Sequence, residues 1–173
     1  MSSTHTAPSI PPMSGGSWHQ GTATGLVAPI LERYPAVHRQ QLPALIELAR
    51  QVERVHAGEA ACPSGLAAHL CAMAQELEAH MQKEEQVLFP LLARGHGALV
   101  RGAITVMRME DEEHGHQLRR LVGVAHDLTP PANACTSWRA LYAALHAFRN
   151  DLLAHIHLEN DILFARTAPA QDH

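Results

Sequence analysis

The sequence predicts an all-α protein, an antiparallel four-helix bundle, and three observations carry that prediction. Apolar residues recur at alternating spacings of four and three along four segments. Three breaks rich in Gly, Pro and Ser separate those segments, and nowhere does a period-2 alternation meet the turn signals of a strand. The 173-residue chain is 46% hydrophobic and 17% charged. That is apolar enough for one core and excludes wholesale disorder.

Residues 1–23, MSSTHTAPSIPPMSGGSWHQGTA, have no apolar period and read as a flexible low-complexity tail. The bundle is expected over 24–166, with a short C-terminal tail over 167–173. Segment one carries Leu31, Pro35, His38, Leu42, Leu45, Ala49 and Val52 on one face. Its prolines, Pro29, Pro35 and Pro43, each remove a backbone donor and crowd the preceding turn, so this helix is expected to be kinked or to start late. After the break AGEAACPSG (57–65), segment two follows with Leu66, Leu70, Met73, Leu77, His80, Glu84, Val87 and Leu91. Past RGHGA (94–98), segment three aligns Ile104, Met107, Asp111, His114, Leu118, Leu121, Ala125 and Leu128. Past DLTPPANACTS (127–137), segment four aligns Leu141, Leu145, Phe148, Leu152, His155, Glu159 and Ile162.

The charge balance, 13 Lys plus Arg against 17 Asp plus Glu, leaves no basic footprint for nucleic acid or an anionic membrane. No apolar run reaches membrane-spanning length and no secretory leader opens the chain, so a cytoplasmic protein is expected. Cys62, Cys71 and Cys135 form no CxxC and read as ordinary thiols of a reducing compartment. The unusual number is fourteen histidines, which points to metal or proton chemistry.

Polar residues interrupt the apolar seams at one level. LEAHMQKEEQVLF (77–89) and LLAHIHLENDILF (152–164) repeat one pattern, His-x-x-x-Glu with apolar neighbours three residues to either side. A spacing of four stacks imidazole and carboxylate on one helix face, about 6 Å apart along the axis. A buried carboxylate costs several kcal/mol unless it is paired or bound to a cation, so His80, Glu84, His155 and Glu159 call for an explanation. A dinuclear metal centre supplies one, with each Glu bridging two cations and each His capping one; an internal pair of His–Glu hydrogen bonds supplies the other. Imidazole and carboxylate without thiolate suit iron or manganese better than a structural zinc.

The remaining polar groups read as unremarkable. His56 ends segment one beside solvent, His157 points away from the His155 face, and His5, His19, His96 and His173 lie in tails or turns. Glu112 and Glu113 with Arg119 and Arg120 form an exposed charged face. Met73, Met81, Met107 and Met109 read as core filler. Cys135 follows the PP turn near a helix start and reads as an inert thiol.

HMQKEEQVLFP, HIHLENDILF, QLPALIELARQVERVHA and LTPPANACTSW resemble the hemerythrin-like (HHE) di-iron domain of the repair-of-iron-centres family, the YtfE and ScdA type, over about residues 25–166. The resemblance implies a bundle holding two non-haem irons, with manganese or zinc as alternatives. It implies a role in nitrosative and oxidative stress, with iron–sulfur centres repaired by iron donation or NO binding. The partners implied are a small ligand, NO or O2, and apo iron–sulfur proteins, for a monomer or homodimer. Oxygen-carrying hemerythrins use more histidines, so dioxygen transport fits less well. The short N-terminal module of many members is expected to be absent here.

Two positions depart from the family pattern. Pro35 stands where helix one supplies a His, and Asp111 stands where helix three supplies one; His38 and His114 follow three residues on. Three readings stay open. Asp111 ligates as a carboxylate and one metal lacks its helix-one ligand; or the site has slid about 4.5 Å onto His38 and His114, with Glu76 and Asp151 as bridges; or the site is degraded. Two other functional classes stand beside repair: a gas or redox sensor signalling through the tail, and a structural bundle with a vestigial site. Turnover such as NO reduction or peroxide removal is not demanded by the spacing.

Overall fold

The computed structural model describes residues 31–94 and 97–160, whose regular structure is helical with no strand among them. Four rods make the bundle. Helix α1 is Arg33–Val55; α2 is Leu66–Lys83 and runs through a π-helical turn, Glu84–Leu88, into the short α3, Phe89–Arg94. Helix α4 is Gly97–Val124 and α5 is Thr136–His157. Helix α1 packs against both α2 and α5, and α2 also packs against α4. The expected tails, 1–23 and 167–173, lie outside the described residues, as do Pro29 and Ile162. No helix among the described residues is long and apolar enough to cross a membrane.

The rods form where the spacing predicts. Pro35 falls in the first turn of α1, where its missing N–H has no intrahelical acceptor to lose, and α1 continues through Pro43. The start of α2 is capped from another rod: the Glu53 carboxylate accepts from Gly65 N–H at 2.5 Å and Ala67 N–H at 3.0 Å. A negative charge there also complements the helix dipole. Gly65 makes the turn with φ +87°, a conformation that costs glycine little. Arg39 ties α1 to the second rod by donating to Glu78 and Glu85.

Buried apolar side chains fall into two clusters. The larger runs from Leu42, Leu70 and Leu121 to Trp138, Phe148 and Leu152. The smaller holds Leu31, Leu88, Val100, Ile104 and Met107. Between them, on every rod, lies a polar layer: His38, His80 and Glu84, Asp111 and His114, His155 and Glu159, all buried.

Two expectations need correction. The seam of segment two does not continue through Val87, which is 48% exposed, but through Leu88, which is 1% exposed. The π turn that begins at Glu84 takes in one extra residue, so the buried face is reached one position later. Met109 is not core filler: it is exposed, while Met73, Met81 and Met107 are buried.

Candidate metal centre

Each His-x-x-x-Glu pair sits where its helix loosens into π geometry, at Glu84–Leu88 on the second rod and at residues 158–160 after α5. The wider turn aims both glutamates into the layer between the two apolar clusters. There, His80 Nε2 stands 2.8 Å from Glu84 Oε1, 3.3 Å from Asp111 Oδ1 and 3.6 Å from Glu159 Oε2. His155 Nε2 stands 2.6 Å from Glu159 Oε1 and 3.6 Å from Glu84 Oε1. The two carboxylates therefore lie between the two imidazoles, each within reach of both.

Most of these close approaches lack hydrogen-bond direction. His80 Nε2, both Glu84 oxygens, Asp111 Oδ2, His114 Nδ1 and Glu159 Oε2 are buried with no hydrogen-bond partner. Orphaned polar atoms at this density are costly in a packed core. Bound cations would answer them. Two donor groups are compact enough to hold one: His80 with Asp111 and His114, and His80 with Glu84 and Glu159.

Without a cation, protons hold the layer together. Burial opposes the His80 and His155 imidazolium forms, but Glu159 and Glu84 carry their pKa values up to about 11 and about 10. Burial, reinforced by the Glu159 charge, raises Asp111 to about 9 and pushes Glu84 upward. Glu159 goes the other way: against its burial, the protonated Glu84 and the His155 and His80 imidazoliums around it keep it ionised. Burial and the neighbouring imidazolium hold His38 down at about 4 and His114 at about 3. A cation entering this layer displaces protons from several of these groups.

His38 does not join the donor groups. Its Nε2 faces His155 Nδ1 at 3.2 Å and its Nδ1 faces Gln41 Oε1 at 3.3 Å, so it stands behind His155. Tyr34 stacks on the other part of that ring, with centroids 4.8 Å apart. The carboxylates a slid site would need are occupied elsewhere: Gln41 donates to Asp151 at 2.6 Å, and Gln117 donates to Glu76. Pro35 is buried at the level of the layer and offers no donor atom. Behind His80, Nδ1 lies 3.8 Å from Glu110 Oε1, which also holds Lys83. A cavity of about 560 Å³, lined in part by Arg108, Arg119 and Asn160, reaches Asp111 from the surface.

The supporting residues Gln41, Glu110, Gln117 and Tyr34 have no signal in the periodicity. Gln117 stands off the seam beside Leu118, and Tyr34 is recognisable only as the neighbour of Pro35. His56, read as a solvent-side group, and Cys135, read as an inert thiol, prove to be in contact with each other at 3.2 Å.

The hemerythrin HHE cation binding domain matches residues 28–167. The iron-sulfur cluster repair protein YtfE of Yersinia pseudotuberculosis serotype IB (strain PB1/+) is 47% identical over 155 residues, 90% of this chain and 70% of the relative. The same-named protein of Yersinia pestis (strain Pestoides F) is similar to the same extent.

Proposed function

The chain belongs to the hemerythrin HHE cation binding domain family, and we propose that it is a non-haem di-iron protein that repairs iron–sulfur clusters, the role for which its Yersinia relatives are named. The observation that carries this reading is the pair of buried carboxylates between two imidazoles, with their oxygens unpaired. His80, Asp111 and His114 would hold one iron, His155 the other, and Glu84 and Glu159 would serve both. Asp111 is favoured as the working ligand because Glu76 and Asp151, needed by a site centred on His38, are engaged by glutamines. Bound ferrous iron would supply a redox-active Lewis acid open to a diatomic ligand such as NO or O2.

The chain's own residues define how such a site behaves. Glu84 and Glu159 bring negative charge into a layer walled by leucines, where it attracts a cation strongly. His155 has a single imidazole to offer its position, since Pro35 contributes nothing and His38 faces away from the carboxylates. That asymmetry suits a protein that gives iron up to an apo iron–sulfur partner, iron here being cargo as well as ligand. The thiols Cys62, Cys71 and Cys135 are unpaired, in keeping with a cytoplasmic setting. We also read consecutive rods as antiparallel, since short connections join neighbours that pack side by side, and α1 as bent at Pro43.

Anaerobic ferrous loading, counted after desalting, tests the site. We expect two irons per chain, of which one leaves first under chelator, and fewer than one in Glu84→Ala/Glu159→Ala. The repair role is tested by reactivation of a hydro-lyase whose cluster NO has broken. Reactivation no better than by the same amount of free ferrous ion would overturn it.

A further inference from the structure

A second cluster of reactive groups lies far from the polar layer, about 27 Å along α1 from His38 and about 30 Å along α5 from His155. Three parts of the chain build it: His56 at the C-terminal end of α1, Glu59 in the following turn, and Cys135 as the N-cap of α5. His56 Nε2 lies 3.2 Å from Cys135 Sγ, and His56 Nδ1 donates to the Glu59 carboxylate. The ring rests on the buried indole of Trp138, with centroids 4.5 Å apart. Thus one nitrogen of a fixed imidazole is aimed at a sulfur and the other at a carboxylate. Cys135 is an exposed residue.

The sulfur has a second source of positive potential. Cys135 is the N-cap of α5, in extended backbone geometry with φ −72° and ψ 170°, and so stands at the positive end of that helix. Both influences favour thiolate over thiol. The hydrogen bond with His56, then the backbone at the start of α5, holds the Cys135 thiol below its ordinary range; the bond to Cys135 and the Glu59 carboxylate raise His56. The other two cysteines lack this arrangement: Cys62 is buried, and Cys71 meets Arg50 at 3.7 Å.

We propose that Cys135 is a nucleophilic thiolate, held by His56 and Glu59, that undergoes reversible S-thiolation by small-molecule disulfides. In the step, Cys135 Sγ attacks one sulfur of the disulfide. A new sulfur–sulfur bond forms and the old one breaks, its electron pair leaving on the departing thiolate, which takes the proton from His56 Nε2. Cys135 is oxidised, the departing half of the disulfide is reduced, and the His56 imidazolium is left as the neutral ring with Nδ1–H on Glu59. Excess thiol reverses the exchange.

The test uses the full chain with oxidised glutathione at pH 7, read by intact and peptide mass, and iodoacetamide labelling resolved by cysteine. We expect a single glutathione adduct on Cys135, none in Cys135→Ser, and labelling of Cys135 about tenfold faster than free cysteine. His56→Asn should slow labelling of Cys135 about tenfold, and Glu59→Gln by less. Iron loading equal to wild type shows that each variant keeps its fold, and the exposed Glu59 variant tests the arrangement even where His56→Asn unfolds. Cys135 labelling at the rate of free cysteine, or an unchanged rate in folded His56→Asn, would overturn the proposal.

Discussion

The His80–Glu84 and His155–Glu159 pairs repeat one local pattern 75 positions apart, both loosen into a π turn at the glutamate, and both point Nε2 into the same layer. Their surroundings differ. His80 Nε2 is within 4 Å of three carboxylates, and its back nitrogen faces the acidic Glu110. His155 Nε2 is within 4 Å of two, and its back nitrogen faces the neutral imidazole of His38. A repeated motif therefore fixes which face a residue occupies, while the rods that flank it, α4 on one side and α1 on the other, decide how rich a site it can build. Second-sphere carboxylates strengthen a ligating imidazole more than a neutral partner does, so the His80 half should be the tighter.

The sharpest way to break this comparison is to remove each imidazole in turn. His155 is the single imidazole of its position, so His155→Ala should lose that metal outright and keep the other, whereas His80→Ala leaves Asp111 and His114 at the first position and should weaken that metal without emptying it. Metal counting after desalting gives the answer, and equal losses would make the halves equivalent. The next effect separates metal-free from loaded protein. In the metal-free fold His80, His155 and Asp111 keep protons that the unfolded chain sheds above its ordinary values near 6.5 for His and 3.8 for Asp. Stability held at low pH is therefore lost as pH rises toward 9–11, the range in which the folded groups titrate. A cation replaces those protons, so affinity rises over the same range. Melting temperatures from pH 7 to 9 should fall without metal and hold with the redox-silent zinc ion.

Smaller effects refine the picture. Leu88→Ala should cost roughly 2–5 kcal/mol and Val87→Ala less than about 0.5 kcal/mol in urea unfolding; similar costs would remove the π turn's phase slip. Glu110→Gln should weaken the first metal by about 10- to 100-fold, while His38→Gln should act on the second metal only, both read by competition with a chelating dye. Arg39→Ala breaks a half-exposed link and should cost at most about 1 kcal/mol.

Much of this was legible in the sequence. Every seam residue expected for α1, α4 and α5 within the described residues is buried, from Leu31 to Glu159, because a 3.5-residue spacing leaves a helix one face to hide. The spacing could not reveal the slip from Val87 to Leu88, since a π turn is a backbone adjustment to what Glu84 faces rather than a pattern of its own. Nor could it separate His114, inside a donor group, from His38, outside one. Both are seam residues, and only the depth and azimuth of neighbouring rods distinguish them. The contact between His56 and Cys135 joins residues 79 positions apart through two helix ends, where no periodicity applies.

The polar layer divides the apolar interior into a large cluster and a small one. Apolar packing is therefore interrupted at the layer, and between the end containing Leu31, Leu88, Val100 and Ile104 and the rest the rods meet through polar groups. In mechanical language the layer is a joint and the metal its rivet. Amide protons of α3 and the first turns of α4 should exchange with solvent sooner than those around Leu70 and Leu145 in the empty protein, and slow when the joint is filled. Loss of the metal would then loosen one end of the molecule, so that empty and loaded protein differ in firmness.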